Sequence, residues 1–241
     1  MNIKIELVKN LSALQRERMF ELMAEYYENV SRTEFLSDLE DKQKVIVLSD
    51  SNEQIQGFST IFEKAMLDHR GKKKFIAIFS GDTVLAKPFW RNGALGKAFS
   101  QYLARKKFRN SKTPVYWFLI SKGFRTYLQM ANNFTVYFPR HDRPAPPKYQ
   151  TAMDLFYSER FKNKYDPKRG LITSDKKEKS FVREDKTQMT PDLLRNAKIK
   201  FFQECNPEWM NGDELACIAE VNFATLARYP VKRLLRRLKR L

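Results

Sequence analysis

Over residues 2–140 the apolar residues keep changing their spacing, and the order of those changes restricts the chain to a layered arrangement of helices on a sheet. Ile3, Ile5 and Leu7 alternate with polar residues, which predicts a strand. Leu14, Met19, Leu22, Met23 and Tyr26 then recur at helical spacing behind Ser12, an N-cap residue. A second helix starts at Ser31, with Glu34 three residues on to complete a capping box. "KVIVLSDSNEQIQGFSTIF" gives two strands around a polar turn, and "KKKFIAIFSGDTVLAKPFW" a longer strand with a bulge or bend near Gly81. "ALGKAFSQYLARKKF" predicts a helix and "TPVYWFLI" a strand buried on both faces. A helix over residues 122–132 and a closing strand in "FTVYFPR" complete the order β-α-α-β-β-β-α-β-α-β.

After Pro139 the pattern weakens. "RPAPPK" reads as a stiff connector, and residues 162–186 mix charges of both signs with few apolar residues, the composition of a mobile flap. Order is expected again at "TPDLLRNAKIKFFQ", with a Thr190 cap and Pro191 in the first turn, and at "ELACIAEV", a strand. The expected division is therefore a domain over residues 1–140 and an extension over 141–241.

The formal net charge of +17 calls for an anionic partner, which composition alone does not identify. The chain start lacks the apolar stretch of a secretory signal, and no apolar run approaches the roughly 18 residues of a membrane span. With only Cys205 and Cys217, a reducing cytoplasm is the expected compartment, and the scattered Cys and His residues predict no metal site. "RYPVKRLLRRLKRL", residues 228–241, sets Val231, Leu234, Leu235, Leu238 and Leu241 along one helical face among arginines and lysines. Such a helix suits an anionic membrane surface, here the inner face, or an acidic protein. No zinc finger, helix-turn-helix or RNP sequence supports nucleic-acid reading.

One stretch carries chemistry. In "KPFWRNGALGKAF" a strand gives way to a helix across Arg91, Asn92, Gly93, Ala94, Leu95, Gly96 and Lys97. Backbone N–H groups at a helix start hold phosphates, glycines let the ligand approach, and Arg91 or Lys97 adds charge. The Walker and three-glycine dinucleotide patterns are both absent. This turn, set in the element order above, resembles the GNAT superfamily of acyl-CoA-dependent N-acyltransferases over about residues 1–140. The family's signature there is Arg or Gln, two residues, Gly, one residue, then Gly or Ala. Arg91 and Gly96 match, while Ala94 stands where glycine is preferred and Gly93 comes one place early.

The resemblance implies a mixed, mostly antiparallel sheet flanked by helices. It also implies an acyl thioester donor on CoA or acyl carrier protein, bound by residues 91–97, and an amine or hydroxyl acceptor. Asp82, on the strand leading to the turn, is the expected base, with a turn-forming Asp beside Gly81 as the other reading. Backbone N–H groups at a bulge there would face the oxyanion. Tyr127 occupies the family's general-acid helix, with a core tyrosine as the alternative, and the family's Lys and Gly-Phe continuation is replaced by "LQMANNF". His69 and His141 do not fit the pattern of histidine-dependent acyltransferases. "NPEWMNGDEL" reads as a structural loop, with Trp209 and Asp213 available to a pocket. The alternative function is a non-enzymatic basic module of the same fold that holds anionic lipid or nucleic acid.

Overall fold

A computed structural model describes residues 1–68, 70–90, 93–173, 181–182 and 190–227. The strands are β1 (Asn2–Leu7), β2 (Tyr27–Glu28), β3 (Lys44–Ser49), β4 (Ile55–Leu67), β5 (Lys73–Leu85), β6 (Val115–Ser121), β7 (Tyr137–Phe138), β8 (Tyr165–Asp166), β9 (Leu171–Ile172), β10 (Phe181–Val182) and β11 (Glu214–Glu220). The helices are α1 (Ala13–Tyr26), α2 (Arg32–Glu40), α3 (Ala94–Arg109), α4 (Phe124–Asn133), α5 (Pro147–Phe161), α6 (Pro191–Leu194) and α7 (Ala197–Cys205). The main sheet runs β1-β3-β4-β5-β6-β11-β9-β8, with β7 also paired to β11; β10 and β2 form a separate pair. Its neighbours are antiparallel except β5 and β6, which are parallel. The expected mixed, mostly antiparallel sheet with helices on its faces is what forms.

Strand alternation sorts the core into two layers. Ile76 and Ile78 of β5 join Trp117 and Leu119 of β6 under α3, α4 and α7. Phe75, Ala77 and Phe79 face the other way, with Phe118 and Ile218, onto Met153, Phe156 and Tyr157 of α5. On that second face α1 and α2 cover Val45, Val47, Phe58 and Val84. Each large apolar side chain so buried contributes about 2–3 kcal/mol. Two helix assemblies thus share one face of the sheet, α1 with α2 on one half and α5 on the other, and the seam between them runs over the end of β5.

Several expectations change in detail. Ser12 and Gln15 form a reciprocal capping box, and Ser31 accepts from the Glu34 N–H at 3.3 Å. Leu14, expected on the apolar face of α1, is 83% exposed because it sits in the first turn, beyond the edge of the sheet-facing stripe. Helix α4 begins at Phe124 behind Gly123, and the closing strand shrinks to β7. Helix α5, which follows the proline-rich connector, was not anticipated. The region from 162 onward opens with a short helical turn and the β8–β9 pair, in which Tyr165, Leu171 and Ile172 are buried. Residues 174–180 and 183–186 of the expected flap, with 187–189 beyond it, and the basic segment 228–241, lie outside the described residues. Strand β11 lies between β6 and β9, so residues after 140 supply a central strand of the main sheet.

Candidate active site

The parallel ladder of β5 and β6 holds from Ile76–Val115 to Ser80–Leu119 and then ends, leaving a wedge between the strands at their carboxyl ends. On its other side β5 stays paired to β4 with a bulge. Ser59 pairs with Thr83 and Ile61 with Ser80, so Thr60 alone opposes both Gly81 and Asp82. Glycine is required at the bulge by space rather than by torsion. A Cβ at Gly81 would lie 2.5 Å from Thr60 Oγ1 and 3.0 Å from Lys42 Cε. The extra residue brings Asp82 to the seam between α2 and α5.

There a cavity of about 270 Å³ opens, with Gly81, Asp82 and Thr83 along one wall. Tyr27, Phe35, Phe79 and Phe161 give it aromatic sides; Glu34, Asp38, Lys122, Arg160 and Glu214 bring charge. Most of these charges are tied down. Lys122 Nζ sits 3.2 Å from Glu214 Oε1 and 5.6 Å from the Tyr27 ring centre. Burial alone would lower the Lys122 pKa, but Glu214 and Asp82 reverse this and hold it above the usual lysine value. Asp38 Oδ2 lies 2.6 Å from Nζ of Lys42, whose side chain is 1% exposed. Arg160 bonds Asp41, stands 3.8 Å from Asp38 and lies over the rings of Phe62, Phe79 and Phe161.

Asp82 is different. Among the described residues it makes no hydrogen bond or ion pair. Burial chiefly, then repulsion from Asp38 and Glu214, raises its pKa to about 6, while Lys122 and Lys42 pull the other way. A carboxylate so perturbed, in a cleft at the mouth of a wedge, suits proton abstraction near neutral pH.

Of the other sequence candidates, Gly93 has φ 66°, a left-handed conformation, and caps α3 with no side-chain cap. Gly96 and Lys97 are exposed at the start of that helix, whereas Leu95 is buried in the core, so only its backbone faces outward. Arg91, Asn92 and His69 lie outside the described residues. Tyr127 does not join Asp82. It is fully buried, donates its hydroxyl to the Pro139 carbonyl at 3.0 Å and packs on Tyr137, Phe201 and Phe202; burial raises its pKa far above the usual value.

Trp209 is buried against Phe124 and Phe202 and bonds Gln203, and Asp213 accepts from Asn206 through its carbonyl. Neither lines the cavity. Cys205 is pushed up to about 11 by burial, and Cys217 is fully buried, so neither is a ready thiolate. Among the described residues no group of three His, Cys, Asp or Glu is arranged for a metal, and no helix is long and apolar enough to cross a membrane. Sequence reasoning missed Lys122, Glu214, Asp38 and Arg160, which come together from four elements distant in the chain.

No protein-family model matches the sequence, and no curated protein matches it either. Solved structures do match. A GNAT family N-acetyltransferase of Escherichia coli, solved in complex with CoA, is 13% identical with a TM-score of 0.36, covering 50% of this chain and 62% of its own. An acetyltransferase of Trypanosoma brucei is 18% identical with a TM-score of 0.38, covering 60% of this chain and 98% of its own. A GNAT-family acetyltransferase of Staphylococcus aureus is 14% identical with a TM-score of 0.39, covering 59% and 90%. At these identities and TM-scores the three are what the chain is similar to, and nothing about its activity follows from them.

Proposed function

We propose that the protein is an acyltransferase that moves an acyl group from a CoA thioester to an amine, with Asp82 as the general base. The supporting observation is the coincidence of a base-like carboxylate, a bulged strand and a strand wedge in one place. In this reading the thioester enters the wedge, and its phosphates lie toward the α3 start, where first-turn N–H groups have no intrahelical partner. The acceptor enters the cavity between α2 and α5. Its nitrogen gives a proton to Asp82 and attacks the thioester carbonyl carbon. The developing oxyanion meets backbone N–H groups of β5 beyond Ser80, which β6 no longer takes. The tetrahedral intermediate then collapses, the C–S bond breaks and the thiolate leaves; the proton taken by Asp82 passes to it through solvent, giving an amide and a thiol.

A free thiol has a pKa of about 8.5, so its thiolate departs readily, and Tyr127, bonded to Pro139, has no step to perform here. A carrier-protein thioester offers the same reacting carbonyl, so competition between the two donors separates them. The test is turnover of acetyl-CoA with primary amines by wild type and Asp82→Asn. The expected loss is about a hundredfold or more. In wild type, kcat/KM should fall tenfold per pH unit below about 6 and level off above, since only ionised Asp82 accepts a proton. Equal turnover by Asp82→Asn refutes the assignment.

A further inference from the structure

In a chain of net charge +17, the described residues line this cavity with four carboxylates (Glu34, Asp38, Asp82, Glu214) and two cations, Lys122 and Arg160. Neither cation is available to an anionic substrate. Lys122 is held by Glu214, and Arg160 by Asp41 and Asp38 under three aromatic rings. The groups left without an ion pair among the described residues are both acids: Asp82, at the bulge, and Glu34, at the rim. Glu34 and Asp38 are four residues apart on α2, so they share one helix face, about 6 Å from each other. The cavity therefore has an acid where a nucleophilic nitrogen is deprotonated and a pair of acids along the helix leading out.

We infer that the acceptor is a short aliphatic diamine, with one nitrogen at Asp82 and the second, as ammonium, between Glu34 and Asp38. This rests on reading the cavity as the acceptor pocket of an acyltransferase. Size agrees: 270 Å³ is the liquid volume of about nine waters, enough for a chain of two nitrogens and four or five methylenes. Chemistry agrees as well. Tyr27, Phe35 and Phe79 offer aromatic faces to methylenes and to ammonium, and an exposed aromatic–cation contact adds to that of the carboxylates. A free amino acid would bring a carboxylate that meets no unpaired cation among the described residues. The product is a monoacylated diamine, which keeps one positive charge, and the thiol of the donor.

The test compares 1,4-diaminobutane, 1-aminobutane and 4-aminobutanoate as acceptors with acetyl-CoA, in wild type and in Glu34→Gln. Glu34 is exposed, so the substitution leaves folding intact. The diamine should exceed the monoamine in kcat/KM by about fivefold or more, the worth of one good exposed ion pair, and the ratio should fall toward one in Glu34→Gln. Calorimetry without donor should show diamine binding weakened by the same change. Turnover with no preference for the diamine, a ratio unmoved by Glu34→Gln, or a preference for 4-aminobutanoate overturns the inference and leaves acyl transfer standing. Diamine binding that depends on Glu34, without turnover of any amine, supports the diamine site and refutes the acyltransferase. Neither binding nor turnover refutes both.

Discussion

Replacing Gly81 by alanine tests the bulge on which the site depends. The added Cβ would stand 2.5 Å from Thr60 Oγ1, 3.0 Å from Lys42 Cε and 3.7 Å from Phe79 Cε1, and the first two are inside normal contact. Neither neighbour yields cheaply. Thr60 is 1% exposed, and the Lys42 ammonium is fixed by Asp38 Oδ2 at 2.6 Å, the Asp38 carbonyl at 2.9 Å and Asp41 Oδ2 at 3.6 Å. Overpacking of this kind costs about 2 kcal/mol, a fall in Tm of roughly 4–8 °C for a chain of this size. Among the described residues the Thr60 hydroxyl has no hydrogen-bond partner, so Thr60→Ala alone should cost little, and it removes the closest clash. In the double variant more than half of the lost stability should return, a coupling of about 1 kcal/mol or more in a urea-denaturation cycle. Gly81→Ala melting within a degree of wild type, or a double variant no more stable than the sum of the singles, would show that the bulge has room and that glycine is there for another reason.

Asp82→Asn should raise stability while it removes activity. The folded pKa of about 6 exceeds the ordinary value of 3.8, so ionising Asp82 costs stability as pH rises from about 4 through 6. The gain from asparagine, at most about 3 kcal/mol, appears above pH 6 and vanishes below pH 4 in urea melts; a gain at low pH only contradicts it. This sign reflects burial first and repulsion from Asp38 next, which Lys122 and Lys42 offset only in part. Tyr127→Phe should cost about 1 kcal/mol, for the lost bond to Pro139, and leave turnover within twofold; a hundredfold fall would restore the tyrosine as general acid. Deleting residues 231–241 should leave the melting temperature unchanged and release the protein from vesicles containing anionic lipid, as judged by co-sedimentation. A loss of several degrees would mean the leucine face packs on the domain instead.

The parts of this architecture legible in the sequence are those governed by local rules. Period-two alternation in "KFIAIF" sends isoleucines to one layer and aromatics to the other, and Gly81 marked its bulge correctly because a strand tolerates glycine at few other places. The place of Asp82 was legible for the same reason, since it is the first ionisable side chain after that bulge. Arg160 and Glu214 were not. They reach the cavity through α5 and β11, whose position beside β6 is set by long-range pairing, Cys217 opposite Leu119, and by the Tyr157 hydroxyl bonded to backbone atoms of both residues. Helix α5 itself was hidden because the prolines before it read as a connector, although Pro147 is in the first turn, where its missing N–H costs nothing. Tyr127 shows the opposite failure. Its place on α4 matches the expected helix, but the buried face of that helix carries Phe124, Met130 and Ala131, and the tyrosine goes into the core with them.

The charge arrangement bears on why such a cavity persists. Buried ion pairs are poor sources of stability, since apolar side chains of similar size commonly do as well or better. Lys42 with Asp38 and Asp41, and Arg160 with Asp41, join a largely buried cation to exposed acids, and Lys122 with Glu214 is a largely buried pair in the same seam. If the seam served only to join α2 to α5, leucines and phenylalanines like those of the neighbouring core would do it. The pairs instead neutralise one another and leave Asp82, half-buried, without an ion pair among the described residues, with a raised pKa and a cost to the fold. An unpaired acid held at a strand wedge, at a net loss of stability, is the signature of a group kept for its reactivity. In the proposed reading the paired charges have a matching role: they fix the helices on either side without supplying a cation that would quench Asp82 as a base.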